Sequence, residues 1–326
     1  MVTIKTTFNE LDKLSYNNTI ISIGSFDGLH LGHQKIFQKM KSISKKYIHQ
    51  SSTIVITFDP HPIAVLKRCK NTRYFLSDNI DEKLQTLIKQ GIDMVIVLKF
   101  DQFLSKISAK DFFDKIISCL NPTDVVMGYD NGFGHKREGN IDFIRNNYKN
   151  KNLNIHTMDK LKDINSKTIS STFLRSEISN GNIKIVNKML GREYSLLGNI
   201  VKGRGYGRTI NFPTVNIKPL NNFKVIPRTG VYYVKVEIEK KQYFGMCNIG
   251  FSPTVTNNKE ETIEIHIFRV ESNKDFYNYE IKVFFIEFIR EEIKFDKVEG
   301  LVKQLKDDKK YCLTKKKLKG VINVNK

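Results

Sequence analysis

The hydrophobic period of this chain changes once, near residue 190, and that change constrains the fold more than any other feature. Upstream, β-branched runs at 19–25, 52–58, 94–98, 124–127 and 153–157 alternate with helix-like stretches at 34–46, 80–90 and 171–180. Strands separated by helices must cross over and pair in parallel, and such sheets place ligands beyond the strands' carboxyl ends. Downstream, 198–202, 230–238, 242–249, 262–270 and 280–288 are alternating or aromatic-rich and follow one another through turns, which predicts an antiparallel barrel. Val298, Leu301, Val302 and Leu305 recur at helical spacing, so a closing amphipathic helix is expected over 297–306. At 326 residues the chain exceeds what one core usually holds, roughly 250–300 residues, and two domains are expected, 1–185 and 186–326.

The formal net charge of +20 would suit a polyanionic partner. It is built from 43 Lys and only 11 Arg, beside just two Ala (Ala64 and Ala109), the signature of AT-rich coding spread over a solvated surface. A basic RNA-binding protein would need aromatics interleaved with that charge, and none are, so no nucleic-acid partner is expected. Lys315, Lys316, Lys317 and Lys319, the densest basic cluster, read as a frayed tail. Cys69, Cys119, Cys247 and Cys312 are scattered, with no C-x-x-C pair and no His at zinc-ligand spacing, which predicts a reduced, cytoplasmic setting. No signal-peptide core opens the chain and no apolar run approaches the ~20 residues of a bilayer span, so no membrane contact is expected. The oligomeric state stays open.

The first strand ends in Gly24-Ser25-Phe26-Asp27-Gly28-Leu29-His30-Leu31-Gly32-His33. His30 and His33 stand three apart at a strand-to-helix turn, so both imidazoles can share one face of the first helical turn. A helix N-terminus already favours phosphate through its N–H groups, and two imidazole donors beside it can stabilise charge growing on a phosphoryl group in transfer. This suits attack at the α-phosphate of ATP by a phosphate ester, a nucleophile already ionised and in no need of a base. Plain capping is the competing reading, and three glycines in the same ten residues weigh against it. A zinc site is disfavoured, since no third ligand follows at convincing spacing.

Three further stretches come in order: Thr57-Phe58-Asp59-Pro60-His61-Pro62, Gly128-Tyr129-Asp130-Asn131-Gly132-Phe133-Gly134 with Arg137 and Gly139, and Ile169-Ser170-Ser171-Thr172-Phe173-Leu174-Arg175. With them the chain resembles the H-x-G-H nucleotidyltransferases, and more closely the bifunctional riboflavin kinase/FAD synthetase family. The resemblance implies an α/β chain: a Rossmann-like nucleotidyltransferase domain with a parallel sheet that adenylylates FMN, then an antiparallel β-barrel with a terminal helix that phosphorylates riboflavin. It implies that Gly24, Asp27, Gly28, His30 and His33 hold ATP phosphates and that Ser171, Thr172 and Arg175 grip the triphosphate. Hydroxyls at a helix N-terminus with an Arg one turn later suit that role, although capping alone would also explain the hydroxyls. Phe58, Asp130, Phe133 and Arg137 are then expected on the flavin side. Where the family carries an aromatic after the acidic residue this chain has Asn131, which predicts a weaker apolar wall.

In the second half Gly203, Gly205 and Gly207 alternate, unlike G-x-G-x-x-G, and a strand comes next. A flap whose bare backbone approaches nucleotide phosphates is expected, with plain hairpin glycines as the alternative. Thr214 and Asn216 flank one residue, so on an extended segment both face the same way and offer hard oxygen ligands for Mg²⁺ shared with a triphosphate. Pro213-Thr214-Val215-Asn216 resembles the family's P-T-A-N kinase motif, with Asn211 where Gly usually precedes the Phe. Alternation in Thr262-Ile263-Glu264-Ile265-His266 puts Glu264 and His266 on one face, and Glu264 matches the carboxylate that in the family accepts the ribityl 5′-hydroxyl proton. A wet strand face would also account for them. Asn248 to Thr254 follow the family's order too. Arg290 is read either as a brace for flavin or nucleotide or as a surface ion pair. The expected activity is riboflavin to FMN, then FMN to FAD, with ATP and Mg²⁺ in both steps; retention of one activity alone is the alternative that Asn131 and Asn211 raise.

Overall fold

The computed structural model describes residues 2–47, 51–66, 73–149, 151–162, 166–203, 205–253, 259–268 and 276–322. Cys69, Thr254 and the last two residues of the expected 262–270 strand lie outside them. Contacts divide the chain into two units, Met1–Phe173 and Leu174–Lys326.

In the first unit β1 (Val2–Thr6), β2 (Thr19–Ile23), β3 (Ser52–Asp59), β4 (Met94–Lys99), β5 (Pro122–Gly128) and β6 (Asn154–Met158) form one sheet, ordered β1-β4-β3-β2-β5-β6. Every neighbouring pair is parallel. The connections carry α1 (Leu31–Ser44), α2 (Pro62–Val65), α3 (Ile80–Lys89), α4 (Ala109–Leu120) and α5 (Ile141–Asn147). Alternation along the strands feeds two cores. Ile21, Ile54, Ile56, Ile96 and Val125 pack with Phe112, Phe113 and Ile116 of α4 on one face. Ile20, Val55, Val95 and Val126 pack with Phe37 and Met40 of α1 and with Leu84 and Leu87 of α3 on the other. Truncating the fully buried Phe37 to Ala would cost about 3–5 kcal/mol. Strand order reverses at β2, so the loops leaving β2 and β5 bound the crevice where such sheets hold ligands. The edge strand β1 goes beyond the sequence expectation. Val2 is exposed and its partner β4 is remote in sequence, so local pattern carries little signal.

α6 (Ser171–Ser179) crosses the border between the units, and α7 (Ile183–Leu190) packs on the second. There the Asn187 amide donates to the Phe285 carbonyl at 2.8 Å and its oxygen accepts the Tyr194 N–H at 2.7 Å. Beyond it come β7 (Tyr194–Val201), the single turn α8 (Tyr206–Thr209), β8 (Val215–Pro219), β9 (Gly230–Ile238), β10 (Lys241–Pro253), β11 (Lys259–Ile267) and β12 (Glu280–Arg290). The strands close an antiparallel barrel in the order β10-β11-β8-β7-β12-β9. β12 has register shifts between Phe285 and Glu287 and between Phe288 and Arg290, bulges that re-aim the side chains after them.

The closing helix α9 spans Val298–Ile322, so it does not stop at Lys306 and the lysine cluster is not a frayed tail. Tertiary anchors explain the extension, since packing rather than propensity sustains most helices. Cys312 and Leu313 join a core with Phe212, Tyr233 and Met246. The Tyr311 hydroxyl donates to Glu287 at 2.7 Å, and the Arg290 guanidinium reaches Asp308 at 2.7 and 3.1 Å.

Candidate active sites

The loop leaving β2 is held in an unusual backbone shape. Phe26, Gly28 and Leu29 have φ of 46°, 78° and 43°, in the left-handed region that most residues avoid. At Gly28 an added Cβ would also lie 2.7 Å from the Leu76 side chain, so only glycine fits. Neighbours fix this shape. Both Asp27 oxygens accept the Leu76 N–H, at 3.1 and 3.2 Å, and the Ser171 hydroxyl donates to the Asp27 carbonyl at 3.0 Å. The Asn131 amide donates to the Ile23 carbonyl at 2.7 Å, tying the loop after β5 to the end of β2. Lys83 of α3, 6% exposed, donates to the Ser25 carbonyl at 2.8 Å and the Thr57 hydroxyl at 3.3 Å. Burial pulls the Lys83 ammonium below its ordinary value, and the carboxylates of Asp27 and Asp59 oppose that shift.

α1 begins at this loop. His30 is its N-cap: Nδ1 accepts the His33 N–H at 3.4 Å, which leaves the ring proton of the neutral imidazole on Nε2. His33 stacks on it, with centroids 3.7 Å apart and planes 16° apart. Burial first, then the proximity of His30 and Lys83, holds His33 well below its ordinary value, so the ring is neutral at pH 7. Its Nδ1 is buried with no hydrogen-bond partner among the described residues. A buried imidazole nitrogen lacking a partner, at a helix N-terminus, is a place that an anion or its hydroxyl can satisfy.

The other candidates of this unit occupy more varied settings. An added Cβ on Gly24 would lie 3.1 Å from the Phe26 ring. Ser170, not Ser171 or Thr172, caps α6, accepting the Phe173 N–H at 3.2 Å; Ser171 is engaged with Asp27 and Thr172 is exposed. Arg175 lies one turn further along α6, beyond the border. Phe58, the residue before the end of β3, meets Phe100, 5.6 Å away at 82°. Arg137 donates to the carbonyl of the exposed Asp130 at 2.8 Å. Phe133 is a core residue, 4% exposed and stacked on Phe113 at 5.5 Å.

In the second unit a cavity of ≈ 690 Å³ is lined by Gly205, Gly207, Thr214, Asn216, Glu264 and Arg290, among others. Strand register builds its polar wall. Asn248 on β10 stands beside Glu264 on β11, and Glu264 beside Asn216 on β8, so three polar side chains share one face across three strands. The Thr214 hydroxyl donates to Glu264 Oε2 at 3.2 Å, leaving its own lone pairs for another partner. Added Cβ atoms on Gly203 and Gly207 would run into the Asn216 amide and the Phe212 carbonyl, so bare backbone lies directly against this wall. Gly205 has φ 75° and opens α8. Asn211 has φ 60°, a left-handed conformation that Asn tolerates better than other side chains, which accounts for Asn in a glycine position.

Deeper in the wall, His266 is 6% exposed and meets the Pro213 carbonyl through Nδ1 at 2.9 Å. Burial lowers its pKa, Lys309 lowers it further, and the Pro213 contact opposes them. Arg290 lines the cavity while gripping Asp308, which is 3% exposed at its side chain, so the buried ion pair and the cavity wall coincide. Among the described residues no group of three His, Cys, Asp or Glu could hold a metal ion. The Thr214 hydroxyl and Asn216 amide oxygen are instead hard-oxygen donors of the kind Mg²⁺ uses together with phosphate oxygens, with the Glu264 carboxylate beside them.

Sequence reasoning missed Lys83 and the Asn248 step of the ladder. Lys83 had a signal: with Ile80, Leu84 and Leu87 it completes the apolar stripe of α3, and a lysine there must find a buried partner. For Asn248, the place beside Glu264 had no signal until register was known.

A family model described as FAD synthetase matches residues 12–173, and one described as riboflavin kinase matches residues 190–315. The chain is 34% identical to a bifunctional riboflavin kinase/FMN adenylyltransferase of Listeria monocytogenes, covering 89% of this chain and 90% of that one. It is 33% identical to the Bacillus subtilis protein of the same description, covering 94% and 95%. A solved structure described as a macrolide-efflux protein from Streptococcus pneumoniae is 28% identical, with a TM-score of 0.81, covering 95% of this chain and 98% of that one. Among the described residues, no helix of this chain is long and apolar enough to cross a membrane.

Proposed function

Because the chain belongs to the bifunctional riboflavin kinase/FMN adenylyltransferase family, whose members make FMN and then FAD from riboflavin with ATP, we propose how its residues divide that work. The carrying observation is the Thr214–Glu264 hydrogen bond within the Asn248–Glu264–Asn216 ladder. A neutral alcohol needs a base as it attacks phosphorus, and Glu264 is the carboxylate set beside the hard-oxygen ligands.

In the kinase step Glu264 accepts the proton of the ribityl 5′-hydroxyl while that oxygen attacks the γ-phosphorus of ATP and ADP leaves. Thr214 and Asn216 would hold Mg²⁺, which neutralises triphosphate charge when bound. The backbone at Gly203, Gly205 and Gly207 approaches the nucleotide phosphates, and Arg290, fixed by Asp308, braces the flavin side. In the adenylyl step an ionised FMN phosphate oxygen attacks the α-phosphorus and diphosphate leaves, so no base is required. His30 and His33 donate to the phosphates at the α1 N-terminus, in the loop shaped by Gly24, Asp27 and Gly28. Ser171, Thr172 and Arg175 grip the triphosphate, and Phe58, Asp130, Phe133 and Arg137 serve the flavin side. We assign adenylyl transfer to residues 1–185 and riboflavin phosphorylation to 186–326, with Mg²⁺ in both steps. We place the work in the cytoplasm, to which the free thiols of Cys119, Cys247 and Cys312 are suited.

A chromatographic time course with riboflavin, ATP and Mg²⁺, run beside one with FMN in place of riboflavin, tests this. FMN first and FAD later, with FAD from FMN alone, is expected. FMN without FAD would remove the first unit's assignment, and FAD only from supplied FMN would remove the second's.

A further inference from the structure

His266 is not needed as a base, yet it is buried in the cavity wall, two residues from Glu264. A carbonyl can only accept, so in the 2.9 Å contact with the Pro213 oxygen the imidazole must carry its proton on Nδ1. A neutral ring then has its lone pair on Nε2. The Lys309 ammonium of α9 stands 3.3 Å from that nitrogen and donates to it, a contact possible only for this tautomer. The Phe212 and Phe268 rings confine the pair: their centroids are 5.1 and 5.7 Å from the His266 ring, and each lies 5.7 Å from the Lys309 ammonium. α9 cannot shift freely either, because Arg290 grips the adjoining Asp308 with a 2.7 Å contact.

The contacts form a continuous series. Lys309 fixes the proton on His266, and His266 holds the Pro213 carbonyl. Pro213 is joined to Thr214, whose hydroxyl donates to Glu264 at 3.2 Å. We propose that His266 is a positioning residue for the kinase step: through Pro213 it sets the Thr214 hydroxyl against Glu264, and Lys309 of the closing helix locks the imidazole in the tautomer that does so. This rests on the roles proposed above for Glu264 and Thr214. If Lys309 is lost, the ring can place its proton on Nε2, and the Nδ1 lone pair then faces the Pro213 oxygen and repels it. The closing helix, which already lines the cavity through Leu301 and Leu305, thereby also acts on the kinase site through Lys309.

The test compares His266→Phe, His266→Asn and Lys309→Met in the full chain. Phe keeps a ring and removes both hydrogen bonds, whereas the Asn amide can restore the donor near Nδ1 alone. Three quantities are read: kcat for riboflavin phosphorylation, the riboflavin Kd from flavin fluorescence, and the rate of FMN adenylylation as a reference in the other unit. His266→Phe is expected to lower kcat about 30- to 100-fold with Kd changed less than about twofold, the size of effect that slight misplacement produces. His266→Asn should recover to within about fivefold of wild type, and Lys309→Met should lose about three- to tenfold, because tautomer control but not the donor is removed. An unchanged kcat in His266→Phe, or His266→Asn as impaired as His266→Phe, would overturn the proposal while leaving Glu264 as the base. If His266→Phe no longer binds riboflavin, Lys309→Met decides: a kcat loss at unchanged Kd supports the proposal, and an unchanged kcat overturns it. A wild-type chain that forms no FMN would instead remove the kinase roles on which the proposal stands.

Discussion

In the roles proposed above, the two units meet phosphate by opposite means. In the first, the proposed anion site is backbone and neutral imidazole: a left-handed loop, a helix N-terminus and two stacked histidines, with the loop carboxylate Asp27 holding the Leu76 N–H. In the second, it is a ladder of side-chain oxygens across β10, β11 and β8, with Glu264 in the middle. The charge of the nucleophile explains the difference. A phosphate ester arrives ionised, and a free carboxylate beside it would only repel it; an alcohol arrives neutral and needs one. On the proposed roles, the site whose aspartate holds a backbone N–H and the site whose glutamate faces the cavity each suit one kind of nucleophile.

The widest break in that comparison is Glu264→Gln. It keeps the shape of the ladder and removes the proton acceptor, so riboflavin phosphorylation should fall about 10²- to 10⁴-fold while FMN adenylylation is unchanged. Separate assays from riboflavin and from FMN read this directly, and loss of both activities would show that the sites are not independent. The converse change, His33→Ala, should lower FAD formation about 10²- to 10³-fold, as removal of one donor to a developing charge does, with FMN formation intact. If FAD still appears at the wild-type rate, His33 has no part in transfer.

A smaller effect separates the units by pH. His33 is held well below its unfolded value of 6.5, chiefly by burial, so between the folded and unfolded values the unfolded chain binds a proton that the folded chain refuses. Stability of the first unit therefore falls as pH drops below about 6.5, with a slope of at most about 1.4 kcal/mol per pH unit from this group, and is insensitive to it above. His33→Asn should flatten that slope. Calorimetric scans of both proteins from about pH 7.5 down to 5 check it, and parallel curves would exclude His33 as the titrating group.

How much of the molecule is legible in its sequence obeys the same division. The strands, the helices between them and the start of α1 are readable from periodicity and short motifs, because local residues set them: His30 and His33 meet through helical geometry alone. The same holds for Glu264 facing with His266. Hidden features depend on register or on partners far along the chain. β1 lies beside β4, the Asn248–Glu264–Asn216 ladder needs three strands aligned, and Asp27 holds a backbone N–H that no motif announces. By pattern Ser171 could cap α6, and in the structure Ser170 does, since one residue of phase at a helix start lies below what sequence resolves. The long α9 looks short in sequence because its last turns are polar and are anchored by tertiary contacts such as those of Asp308, Tyr311 and Cys312.

The finest test concerns Asn131 and Asn211, the two positions where the sequence departs from the motifs it resembles. Both have local work: Asn131 ties the loop after β5 to Ile23, and Asn211 occupies a left-handed position at φ 60°. Asn211→Gly should therefore change the stability of the kinase unit by no more than about 0.5 kcal/mol, because glycine gains the same conformation and loses only some chain stiffness. Asn211→Val should cost about 1–2 kcal/mol, since a β-branched residue is strained there. The temperature at which riboflavin phosphorylation is lost on brief heating reads both, with adenylylation of FMN as the unaffected partner. Equal tolerance of Gly and Val would mean that the turn before Phe212 is not held at φ 60°, and the close approach of Gly207 to the Phe212 carbonyl, on which the cavity wall depends, would need another cause.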